Sequence, residues 1–157
     1  MSFGDDLERE RERVMRLVRH ASASWADAMR THKMAPPDAG FAQRLRMLSE
    51  AAGTEQVAWE QAHAAGLHWR PVAGADRSTP PYELRPGTGR RGPEELWLRF
   101  DAAVKELNRA IGGASALTVA SAFGAMGEAA ADLADAVTAE DDVSREAQSR
   151  SRSRNVA

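Results

Sequence analysis

The chain has 157 residues, 43% apolar and 28% charged, with a formal net charge of −2 and no cysteine. That length suits a single domain with a sizeable core. The near balance of charge gives no whole-chain case for nucleic acid or an anionic membrane, and the missing thiols exclude disulfides, thiolate zinc sites, Fe–S clusters and cysteine nucleophiles. Only 6% of the residues are aromatic, and alanine dominates the apolar share. A core of that kind is thin, so its helices must approach closely to bury much area. Of 21 basic residues only Lys33 and Lys105 are lysine. Together with the alanine content this points to GC-rich coding and a bacterial source. The opening residues MSFGDDLERERER are charged where a signal peptide is apolar, and no run reaches the roughly 20 apolar residues of a membrane span. The expectation is a cytoplasmic protein with no membrane partner.

The first helix is predicted over about residues 5–31. Leu7, Val14, Ala21 and Ala28 repeat every seven residues, and Val18 and Trp25 complete one apolar stripe. The opposite surface alternates in sign from Glu8 to Arg13, and Glu8–Arg11, Glu10–Arg13 and Glu12–Arg16 are spaced to pair. Pro36 and Pro37 then break the helix. A second helix is predicted over about 38–65, where Phe41, Leu45, Leu48, Ala52, Trp59 and Ala62 hold a heptad seam. Glu55 is the polar exception within it. Gly53 marks a kink or a close helix crossing, and Gly66 a left-handed stop.

Residues 67–92 form a long loop rich in Pro, Gly and Arg. Trp69, Tyr82 and Leu84 are its expected anchors on the bundle, with two mobile tips at 74–79 and 86–91. It carries Arg70, Arg77, Arg85, Arg90 and Arg91 against Asp76 and Glu83. Arginines interleaved with aromatic rings on a loop can grip phosphate and stack a base. The alternative is a loop whose rings dock while its arginines solubilise it. Gly87-x-Gly89-x-x-Gly92 matches a dinucleotide-binding string, but no strand precedes it and no βαβ unit surrounds it.

The third helix is predicted over about 93–111, with Pro93 at its first position and Glu94 and Glu95 opposing the helix dipole. Leu96, Phe100, Ala103, Val104, Leu107 and Ile111 recur at helical spacing. Gly112 and Gly113 stop the run. Ser115 can cap a fourth helix over about 115–138, with a seam of Val119, Phe123, Met126, Ala130, Leu133 and Val137. Phe100, Leu107, Phe123 and Leu133 are the expected core of this hairpin. Ala116, Ala120, Gly124, Gly127 and Ala131 gather on another side of the fourth helix. Small residues at that spacing admit a helix backbone, either from within the bundle or from a partner. Residues 140–157, with Ser-Arg alternation at 149–154, are expected to form a disordered tail.

The fold expected is all-α: a pair of helical hairpins in a four-helix, coiled-coil-like bundle, one domain over 1–139. Glu60-x-x-His63 alone has metal-ligand spacing, without the second copy that a di-iron bundle needs, so no metal or cofactor is expected. With no catalytic signature, the function expected is a non-enzymatic interaction module. It would take a protein partner, or a second copy, through helix faces and the loop. The alternative is a nucleic-acid-binding regulator using the Arg/aromatic loop and the tail. The partner-binding candidates are Arg70, Tyr82, Arg85, Arg90, Arg91, Gly124 and Gly127.

Overall fold

A computed structural model describes residues 3–34, 40–66, 92–112 and 115–155, and all regular structure in them is helical: α1 (Phe3–Met34), α2 (Phe41–Ala64), α3 (Glu94–Ile111) and α4 (Ala116–Asn155). The all-α expectation is met. Each helix buries the apolar side its spacing defines, except at Leu7, the first residue of the expected α1 stripe, which is exposed because α1 there runs past the end of α2. In α1, Val14, Val18, Ala21, Trp25 and Ala28 are buried. In α2 the whole predicted seam from Phe41 to Ala62 is buried, Glu55 with it. Gly66 ends α2 in the left-handed conformation, φ 68°, and its N–H donates to the His63 carbonyl. Gly53 meets no neighbour, so it marks no close helix crossing.

Pro93 sits one residue outside α3 rather than at its first position. Its carbonyl accepts from the N–H of Leu96 at 3.1 Å. The α3 seam is rotated slightly from the one predicted. Trp97 and Ala110 are fully buried, while Leu96 and Ile111 sit at the rim. The cause is Trp97, whose ring stacks on Phe41 of α2 with centroids 5.7 Å apart. Ser115 caps α4 as expected: its Oγ accepts from the N–H of Thr118 at 3.3 Å and its carbonyl from Val119 at 3.0 Å.

Neighbouring helices are antiparallel. Arg46 of α2 pairs with Asp135 of α4 at 3.0 Å, while further along α2 Gln56 lies over Gly124. Arg13 of α1 reaches Gln61 of α2 at 3.0 Å, and Arg99 of α3 reaches Asp132 of α4 at 3.2 Å. These exposed pairs fix register more than stability, since such pairs contribute roughly 0–1 kcal/mol each. The order around the bundle is α1, α2, α4, α3, so α1 runs parallel to α4 and α2 parallel to α3. Aromatic rings close the diagonals. Trp25 of α1 meets Phe123 of α4 edge to face at 5.2 Å, and the Phe41–Trp97 stack, with Phe100 against Trp97 at 5.8 Å, joins α2 to α3. Phe100, Leu107, Phe123 and Leu133 all lie in this core.

The C-terminus departs from expectation. Residues 140–155, read above as a disordered tail, continue α4 without a break. No Gly or Pro follows Gly127. Ala, Glu, Gln and Arg are good helix formers, and Ser is only mildly unfavourable. A helix already held by the bundle needs no new nucleus to extend into such a sequence. Composition showed that this stretch buries nothing, and lack of burial is not lack of helix.

Candidate interaction surfaces

The small residues of α4 face α2. At Gly127 an added Cβ would stand 3.4 Å from both the Cβ of Ala52 and the carbonyl oxygen of Ser49, and the Ser49 hydroxyl donates to the Gly127 carbonyl at 2.8 Å. At Gly124 it would meet the Gln56 amide at 2.8 Å. Of the two occupants that small-residue spacing allows, the one present is α2 of the same chain. Gly124 and Gly127, named above as partner-binding candidates, are taken up in this contact. The remaining candidates, Arg70, Tyr82, Arg85, Arg90 and Arg91, lie outside the described residues, as do Trp69 and Leu84. The residues that flank them are placed. Because α2 and α3 run parallel, Gly66 and Gly92 stand at opposite ends of the bundle. Gly92 has φ 100°, and its N–H donates to the Glu140 carboxylate at 3.1 Å.

Glu55 is buried at 2% exposure, and its Oε2 accepts the indole N–H of Trp59 at 2.8 Å, one turn along α2. The pair satisfies a buried donor that would otherwise cost about 1–3 kcal/mol. On the surface, Arg13 holds the Glu10 carboxyl below its ordinary range, first by hydrogen bonding at 2.6 Å and then by its charge. Glu106 in the same way raises Arg109 above the usual arginine value. His63 is exposed, and Glu60 accepts from Gln56 at 3.3 Å. Among the described residues no three His, Asp or Glu side chains gather as metal ligands would, and no helix is long and apolar enough to cross a membrane.

Sequence reasoning missed two surfaces. One is an open groove of about 370 Å³ between α1 and α2, lined by Ser24, Asp27, Ala28 and Thr31 from the first helix and Met47, Glu50, Ala51 and Thr54 from the second. Each helix contributes positions i, i+3, i+4 and i+7, so the groove runs along the helix pair. Its floor is small and apolar, Met47 is 41% exposed, and Asp27 and Glu50 make its rim acidic. Asp27 is held by Arg30 one turn on. The i, i+3, i+4, i+7 spacing was legible in α2. It went unread because polar residues interrupt the set.

The other surface is a pair of helical arms. Residues 4–13 of α1 and 142–154 of α4 are exposed along their whole length. The signal for the second was the absence of Gly and Pro, with Glu146 and Arg150 spaced to pair at i, i+4 and 4.0 Å apart. Among the described residues the geometry is that of an all-helical bundle with an open groove between α1 and α2 and exposed arms at the start of α1 and the end of α4. Set against protein-family models, curated proteins and solved structures, the chain matches none.

Proposed function

We propose that the protein is a non-enzymatic interaction module, acting in the bacterial cytoplasm and taking a protein partner through helix faces and the 67–92 loop. The groove between α1 and α2 carries this reading. It offers an apolar floor with a protruding methionine, and methionine adapts its shape to a partner side chain. Its acidic rim suits a segment that presents an apolar side chain flanked by basic residues. The arginine-rich composition of residues 70–91 supports a second contact, to an acidic partner surface.

The test uses the full chain in two variants. Met47→Glu puts a charge into the groove at an already exposed position, and the triple change of Arg85, Arg90 and Arg91 to Glu reverses the loop. Both should melt as wild type. Met47→Glu should abolish, and the triple weaken, retention of partners from native-host extract. If both variants keep every partner, the reading fails. The nucleic-acid alternative rests on the same arginines and on Arg145, Arg150, Arg152 and Arg154 of α4. It predicts binding to DNA or RNA that survives Met47→Glu and falls steeply with salt.

A further inference from the structure

The two arms lie at opposite ends of the bundle and point away from it. Arg13 meets Gln61, and α2 runs on to Ala64, level with Glu10, so residues 3–9 of α1 extend past that end by ~10 Å. At the other end α3 begins beside Glu140, so residues 141–155 of α4 extend by ~22 Å. Their charges are opposite. Between Gly4 and Arg9, Asp5, Asp6 and Glu8 outweigh one arginine; between Asp141 and Arg154, four arginines outweigh Asp141, Asp142 and Glu146. Acid at a helix start and base at a helix end also favour the helix's own dipole, but that effect fades within one turn. The acids of α1 continue to Glu12, and the arginines of α4 begin at Arg145. The dipole accounts for Asp5, Asp6, Arg152 and Arg154, and not for the rest.

We propose that the occupant of each arm is a second copy of this chain, with the α4 arm of one molecule lying alongside the α1 arm of the next. Because α1 and α4 are parallel within the molecule, a simple translation along the bundle axis brings them together side by side. When the tip of α4 abuts the neighbouring bundle, Arg150, Arg152 and Arg154 fall level with residues 5–9 of the neighbour's α1, beside Asp5, Asp6 and Glu8. The contact is heterologous and does not close on itself, so it builds open chains of molecules. With so little apolar area it is held mainly by charge, which is screened over about 8 Å at physiological salt. Assembly is therefore weak and favoured by low ionic strength. This inference stands apart from the groove and the loop, and neither groove nor loop variants should alter it.

The experiment is sedimentation velocity on the full chain, over a concentration series at low and at high salt. Variant one changes Arg150, Arg152 and Arg154 to Glu; variant two changes Asp5, Asp6 and Glu8 to Arg. All six positions are exposed, and melting checks that both variants fold. Wild type should grow beyond a dimer with concentration at low salt and return to monomer at high salt. Each variant alone should stay monomeric, and the equimolar mixture should assemble again, because each then supplies the arm charge the other needs. A wild type that is monomeric throughout the low-salt series overturns the proposal. So does assembly that persists in either variant alone, or a mixture that fails to restore it.

Discussion

Buried glutamate in a heptad seam is costly, and Glu55 is tolerated because its partner lies one turn away. The indole of Trp59 brings an N–H into the core, and the carboxylate accepts it at 2.8 Å. Each group lowers the cost of burying the other. Gly53, two residues earlier, has no such reason to be what it is. Its backbone is helical, and a Cβ there would meet nothing within 4 Å. Gly53→Ala should therefore raise stability by about 1 kcal/mol, the helix-propensity difference alone. Chemical denaturation would measure it. An unchanged or lowered midpoint would mean that the glycine serves some role the helix does not reveal. The contrast with Gly127 shows why the sequence could not rank these positions. Both are glycines in helices, and only the approach of α2 separates the one that packs from the one that does not.

Helices whose seams face the core were legible almost to the residue. α2 and α3 were predicted over about 38–65 and 93–111, against Phe41–Ala64 and Glu94–Ile111. Their ends are set by local chemistry: Gly66 in the left-handed region, Pro93 just outside α3. α4 was legible only as far as its seam, because periodicity reports burial and stops at Val137. What lies beyond is helix without a buried face. Truncation after Asp142 should lower the helical circular dichroism signal in proportion to the residues lost. It should change stability by less than about 0.5 kcal/mol, since the removed residues are exposed. A drop of several degrees in melting temperature would mean that the arm docks on the bundle. The groove between α1 and α2 was illegible for the opposite reason. Its lining is spread over two helices, and only their antiparallel register brings Asp27 opposite Glu50.

At the scale of the whole molecule, two hairpins share one core, and their backbones come closest where α2 lies against α4. Alanine makes up nearly half of the buried apolar residues among those described. That explains why small side chains, rather than large ones, form this central seam. The partner candidates between Arg70 and Arg91 could be read as a composition but not as a surface, because loop residues follow no period that would orient them.

Gly66 and Gly92 stand at opposite ends of the bundle, so a cut between them separates the two hairpins without breaking a helix. Nothing in the helix packing requires α2 and α3 to be covalently joined in order to recognise each other. Rings supply that recognition: Trp25 with Phe123, Phe41 with Trp97. The 1–66 piece and the 92–157 piece each keep one complete hairpin. Co-expressed as separate polypeptides, they should recombine into a two-piece complex that co-purifies and melts cooperatively. Without the tether its midpoint should rise with concentration, as for any bimolecular association. Should the pieces fail to co-purify, the tether itself would be part of what holds the hairpins together.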